Sequence, residues 1–103
     1  MIKGKEIELG GKTYIVPPLN LAMVEHFQDQ LINYTGGIDP QSVRLVAEVT
    51  HAALKRNYPE LTLEEVKDVL DLGNMVEVFS AVLQVAGFVA RSDQGEVLAP
   101  ASL

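Results

Sequence analysis

The most apolar helical pattern in the chain is MVEVFSAVLQVAGF, residues 75–88. Only Glu77, Ser80 and Gln84 are polar there, and their spacing of three and then four residues places them on one thin stripe of a helix. A helix that is apolar around nearly all of its circumference must be buried on nearly all sides. We therefore predict a fourth and last helix here, which is either the central strut of a small core or in contact with a partner along one flank.

Large apolar side chains would form the partner surface in the second case. The candidates are Met75, Phe79, Leu83 and Phe88. Methionine and aromatic side chains suit such a surface because they adapt to irregular apolar contacts or bury a large area. Filling of the chain's own core explains the same residues, so both interpretations stand at this point.

Three further helices are predicted upstream of this segment. Their ranges are 21–34, 40–56 and 63–70. Asn20 and Asp39 are suitable N-cap residues for the first two, because their side chains can accept a hydrogen bond from the first turn. Thr62 and Glu65 have the spacing of a capping box for the third. Alternation of apolar and polar faces indicates that the first helix is half-buried and the second is buried on most sides.

Glycine, asparagine and proline residues are predicted to separate these helices. Gly36 follows the first helix, and Pro59 closes the second because a proline cannot continue a helix. We expect Gly73 to adopt the left-handed conformation after the third helix, and Asn74 to cap the fourth.

A β-hairpin is predicted over residues 5–16. Two short β-prone runs flank Gly10 and Gly11, the residue pair that a two-residue primed turn requires. In this register Ile7 lies opposite Tyr14, and the hairpin has one apolar face that can cover a helical core.

Length and composition favour one small domain. The chain has 103 residues, of which 48% are hydrophobic, and it has no cysteine. We predict a mostly α fold, a compact bundle of about four short helices with the N-terminal hairpin, over residues 1–90. Residues 91–103 lack periodicity and are expected to form a flexible C-terminal segment.

No stretch is predicted to span a membrane or to act as a secretory signal, so we expect a cytoplasmic protein.

The charge distribution argues against nucleic-acid binding. The chain has 14 acidic and 8 basic residues, for a formal net charge of −6. Proteins that bind DNA or RNA neutralise phosphates with clustered Lys and Arg side chains. Here the basic residues are scattered, and only Lys55 and Arg56 are adjacent.

No catalytic, cofactor or metal site is predicted. His26 and His51 lie on the polar faces of different helices, and His26 with Asp29 would supply too few ligands for a stable metal site. Motifs for nucleotide binding or for a nucleophilic serine are absent from the sequence. We therefore expect no enzyme activity.

One group of acidic residues invites two interpretations. Glu64, Asp68 and Asp71 have the spacing of one helix face and could form a docking stripe for a basic partner. The alternative is an ordinary solvated helix surface, whose first-turn acids complement the helix dipole.

The sequence resembles the tail assembly chaperones of long-tailed phages and prophages. The resemblance begins in LGGKTYIVPPL, residues 9–19, and continues in HAALKRNYPELT, residues 51–62. It is extended by EEV at 64–66 and DLGNM at 71–75. Together these motifs cover most of the predicted domain.

This resemblance implies a non-enzymatic protein of the bacterial host cytoplasm that is absent from the mature virion. It implies binding to the tape-measure and tail-tube proteins during tail assembly. Self-association is expected because apolar surface that can be exchanged for partner surface also suits a second copy. A minor structural tail protein and an unrelated small helical interaction domain are the alternatives.

Overall fold

The protein consists of a two-stranded antiparallel hairpin followed by four helices, in a computed structural model that describes residues 1–34 and 36–87. The strands are β1 (Lys5–Leu9) and β2 (Lys12–Val16). The helices are α1 (Leu21–Ile32), α2 (Pro40–Lys55), α3 (Leu63–Val69) and α4 (Met75–Val85). The predicted fold class is confirmed. Phe88 and the predicted C-terminal segment 91–103 lie outside the described residues.

The hairpin has the predicted turn and register. Gly10 and Gly11 have φ angles of 58° and 80°, the left-handed region that a primed turn requires at both positions. Ile7 pairs with Tyr14. Leu9 and Val16 are buried, so the apolar face of the hairpin covers the helices.

Side-chain caps begin the first three helices as predicted. The Asn20 side chain accepts a hydrogen bond from the Met23 amide at 2.9 Å. At α2, the Asp39 carboxylate accepts from the Ser42 amide at 3.2 Å. Thr62 and Glu65 form the reciprocal capping box at α3, since each side chain accepts from the other residue's amide. These bonds satisfy amides that have no partner within the helix.

All four predicted helices end earlier than expected, the second and third by one residue and the first and fourth by two or three. The first stops at Ile32, and the Asn33 side chain donates to the Asp29 carbonyl at 3.0 Å, a local hydrogen bond that competes with helix continuation. The fourth stops at Val85 because Gly87 takes the left-handed conformation, with φ of 86°.

The predicted roles of Gly73 and Asn74 are wrong. Gly73 does not have a positive φ, and Asn74 makes no side-chain cap to α4. The Asn74 side chain instead accepts from the Asp71 amide at 2.8 Å, while the Asp71 carboxylate accepts from the Asn74 amide at 2.9 Å. This reciprocal pair closes the α3–α4 turn, and it directs the Asn74 side-chain oxygen to Asp71 and not to the first turn of α4.

The core lies between the hairpin, α2 and α4. It contains Ile7, Leu9 and Val16 from the hairpin, Leu45, Val46, Val49, Ala53 and Leu54 from α2, and Met75, Val78, Phe79 and Val82 from α4. Tyr34 packs edge-on against Phe79 with ring centroids 5.1 Å apart. As predicted, α2 is buried on most sides.

The hairpin is fastened to the helices by the three consecutive residues that follow α2. These are Arg56, Asn57 and Tyr58, and we call them the α2 clamp. The Arg56 guanidinium donates to the Pro18 carbonyl at 2.6 Å. The Asn57 amide donates to the Ile15 carbonyl at 3.1 Å, and the Tyr58 hydroxyl accepts from the Ile15 amide at 2.9 Å. The clamp therefore holds the outer edge of β2 through side chains.

Gly4 must remain a glycine where the chain enters the hairpin. A Cβ atom at this position would overlap the Val16 carbonyl oxygen. We expect Gly4→Ala to destabilise the domain by about 1–3 kcal/mol through this overlap, measured by urea unfolding. Gly73→Ala is the control, because its Cβ would meet only the Asp71 carboxylate at 3.2 Å, a much milder contact that a shift of a few tenths of an ångström relieves. Equal stability of the two variants would contradict the close approach at Gly4.

Acid sensitivity should follow from the capping carboxylates. Hydrogen bonds from Ser42 lower the pKa of Asp39, and hydrogen bonds from Thr62 lower the pKa of Glu65, with a smaller contribution from nearby Lys12. Because both pKa values are lower in the folded state, the stabilisation is complete above the ordinary values of 3.8 and 4.5 and is lost as pH falls through the folded values.

The unfolding midpoint of the wild-type protein is therefore expected to fall as the pH decreases below about 4.5. The double variant Asp39→Asn, Glu65→Gln should lose less stability over the same interval, because its caps no longer titrate. Denaturant unfolding at a series of pH values measures both curves. Parallel acid limbs would show that these two carboxylates do not contribute.

Candidate protein-binding surfaces

Two of the four candidate partner residues lie in the core. Met75 and Phe79 are buried, with Phe79 only 2% exposed. Leu83 is half-buried and packs against the core cluster, and Phe88 lies outside the described residues. In this conformation α4 is the central strut, and a partner could reach Met75 or Phe79 only if α4 moved.

The outer side of α4 presents different residues. Val76 is 66% exposed, and Glu77 and Gln84 are also exposed. Val76 has the same residue type as buried Val78 and Val82, so composition alone could not single it out. The short length of the sheet leaves this flank uncovered by the rest of the described chain.

The predicted acidic stripe does not form one helix face. Glu64 and Asp68 lie on α3, but the helix ends at Val69, and Leu70 has an extended backbone conformation. Asp71 is therefore rotated out of the helical spacing that links it to Glu64 and Asp68. Glu64 approaches Lys67 at 4.0 Å, and the Glu64 side chain is 81% exposed while that of Lys67 is 47% exposed. The three carboxylates therefore do not form one continuous acidic surface for a partner.

An apolar groove opens between α2, α3 and the α3–α4 turn, and we call it the α2–α3 groove. Its volume is about 510 Å³. Its apolar lining is Pro40, Val43, Val46, Ala47, Leu70, Leu72 and Met75. Leu72 is 63% exposed at the edge of the groove. Arg44, Lys67 and Asp71 supply its polar lining.

This groove brings together residues that the sequence separates. Val43 was expected on a buried helix, yet it is exposed at the groove. The one available signal in the sequence was Leu72, a large apolar residue in a turn between Asp71 and Gly73. An apolar side chain in a turn is common on protein surfaces, so it could not by itself locate a groove.

The two histidines occupy ordinary structural positions. The His51 ring lies with Nε2 at 2.8 Å from the Leu61 carbonyl oxygen, and the His26 ring packs against Phe27 with centroids 4.8 Å apart. Across residues 1–34 and 36–87, no group of three or more histidine, aspartate or glutamate side chains is placed so that it could bind a metal ion. Among the described helices, none has both the length and the apolar character needed to cross a bilayer.

Comparison with protein-family models, with curated proteins and with solved structures found no match for this chain.

The position of α4 predicts a strong contrast between its two sides. Phe79→Ala should destabilise the domain by about 3–5 kcal/mol because it leaves a cavity in the core. Val76→Ala should change the stability by no more than about 0.5 kcal/mol, because that side chain is exposed. Urea unfolding followed by circular dichroism measures both values. A small effect of Phe79→Ala would show that α4 is not the central strut.

Proposed function

We propose that this protein is a non-enzymatic assembly chaperone of phage or prophage tails that binds the tape-measure and tail-tube proteins. The α2–α3 groove is the observation that carries the binding role, because it leaves Val43 and Leu72 exposed on a surface lined mainly by apolar side chains. The choice of tail proteins as partners is based on the sequence resemblance in residues 9–19 and 51–62.

The groove suits an amphipathic helix of the tape-measure protein. Helix-in-groove recognition places apolar side chains at successive turns of one helix into an apolar cleft of the other protein. Pro40, Val43 and Ala47 line one side of the cleft along successive turns of α2, while Leu70 and Leu72 line the other. Arg44 and Lys67 can contact acidic residues on the polar side of such a helix.

A chaperone role follows from the energetics of such a surface. A long helical polymer before assembly exposes apolar faces that aggregate, and a groove of this size can cover one short stretch of them. For release into the growing tail, the tape-measure protein must bind this groove more weakly than it binds the tail-tube subunits. A small groove is consistent with such weak binding, since interfaces that bury little area are typical of transient complexes.

Leu72→Glu tests this role directly. The substitution places a carboxylate at the rim of the groove, so we expect it to weaken binding to the tape-measure protein by about tenfold or more. Its effect on stability should be small, since Leu72 is already exposed. Co-expression with the tape-measure protein, followed by measurement of the soluble fraction, gives the activity.

Leu21→Glu is the matched control for this experiment. Leu21 is 82% exposed on α1 and does not line the groove. It should therefore keep the tape-measure protein soluble as the wild type does. Unchanged aggregation of the tape-measure protein with the wild-type chain would contradict the chaperone role. Stoichiometric amounts of the protein in purified virions, measured by mass spectrometry, would instead favour a minor structural tail protein.

A further inference from the structure

A second groove lies on the opposite side of α4, between that helix and the outer edge of β1, and we call it the β1 edge groove. Its volume is about 750 Å³. Glu6, Ile7 and Glu8 line it from the strand, and Val76, Glu77 and Ser80 line it from the helix. The Lys5 ammonium donates to the Gln84 side chain at 2.7 Å and closes one end.

The two outer edges of the hairpin differ in their hydrogen bonding. Ile15 on β2 directs its amide and carbonyl outward to the α2 clamp. Glu6 is the pairing partner of Ile15, so its amide and carbonyl must also point away from the partner strand. The same alternation applies to Glu8 opposite Thr13. The backbone groups of Glu6 and Glu8 make no hydrogen bond to any part of the chain that the structure describes.

An open strand edge beside a helix is the arrangement that accepts an extended peptide as an additional strand. A strand added to β1 would lie about 4.8 Å from it and would pass along the β1 edge groove. Its alternate side chains would face α4 at Val76 and Ser80, while the others would lie beside Glu6 and Glu8. The edge of β2 cannot act in the same way at Ile15, because the α2 clamp occupies it.

The charge of the β1 edge groove indicates which residue types an added strand should have. Glu6, Glu8 and Glu77 place three carboxylates at the groove, and none of them forms a salt bridge within residues 1–34 and 36–87. A second copy pairing through β1 would set Glu6 opposite Glu8 of the copy, and like charges directly opposite are destabilising. Residues 88–103 of this chain have Asp93 and Glu96 against Arg91, so their charge does not match the groove either.

We propose that the β1 edge groove binds an extended segment of another protein, in which Lys or Arg residues alternate with apolar residues, as a third strand of the hairpin sheet. The basic residues pair with Glu6 and Glu8, and the apolar residues contact Val76. This inference is independent of the proposed function, because it uses neither the α2–α3 groove nor the family resemblance.

The test uses a short synthetic peptide that alternates lysine with valine and the full-length, ¹⁵N-labelled protein. Binding should shift the amide resonances of Glu6, Glu8 and Val76 and should slow hydrogen exchange of the Glu6 and Glu8 amides. A peptide with glutamate in place of lysine should not bind. Absence of these changes with the lysine peptide would overturn the proposal.

Backbone methylation of the peptide separates strand addition from simple charge attraction. Methyl groups on the alternate peptide amides that face β1 remove the shared hydrogen bonds, and binding should be lost. Methyl groups on the other set of amides leave those hydrogen bonds intact, and binding should persist. Equal binding of both methylated peptides would show that only the charges attract the peptide, and the proposed third strand would be excluded.

Charge-reversal variants identify the carboxylates that select the peptide. Glu6→Lys with Glu8→Lys should weaken binding on the order of tenfold, the sum of two lost cross-strand charge pairs. Glu25→Lys with Asp29→Lys on exposed positions of α1 makes the same change in net charge and should leave the affinity nearly unchanged. Equal weakening by both pairs would contradict a defined site. Concentration-dependent protection of the Glu6 and Glu8 amides without peptide would show that a second copy takes the groove instead.

Discussion

The α2 clamp is the interaction on which the arrangement of the protein depends. A two-stranded hairpin is marginally stable in water, so it requires attachment to another element. Arg56, Asn57 and Tyr58 supply that attachment through hydrogen bonds to Pro18 and Ile15, and the Tyr58 ring also packs edge-on against Tyr14 at 5.1 Å. Asn57 additionally holds the backbone of Ile2 with two hydrogen bonds of 2.7 and 2.9 Å. One short turn thus fixes the N-terminal segment and the hairpin against the end of α2.

The clamp has a consequence for the surface of the protein. Because it uses the outward backbone groups of Ile15, it blocks the β2 edge at that residue, whereas the outward backbone groups of Glu6 and Glu8 on β1 have no partner among the described residues. Placement of the hairpin apolar face on α4 then sets the open β1 edge beside the outer flank of the helix. The two proposed docking surfaces lie on different sides of the molecule, so one protein of this size could contact two partners at once.

Local signals in the sequence predicted the fold well. Asn20, Asp39 and the Thr62–Glu65 pair begin helices because each cap acts within its own first turn. Gly10 and Gly11 define the hairpin for the same reason, since the turn requires positive φ at both residues. The predictions for Gly73 and Asn74 were wrong because Asp71 competes for the Asn74 amide and side chain, and this competition depends on the precise path of a short turn.

The sequence by itself determined the elements and the register of the hairpin, because caps, glycine turns and apolar periodicity act over a few residues. It could not determine which surfaces stay open. Val76 and Val78 are both valines of one apolar helix, yet the first is 66% exposed and the second is buried. The difference arises because the hairpin and α2 cover the flank of α4 that contains Val78 and leave the flank that contains Val76 open. The α2–α3 groove, the division of the predicted acidic stripe and the open β1 edge likewise arise from contacts between distant segments. Tertiary packing decided these features, because a pattern within one helix or strand does not indicate which of its faces another element will cover.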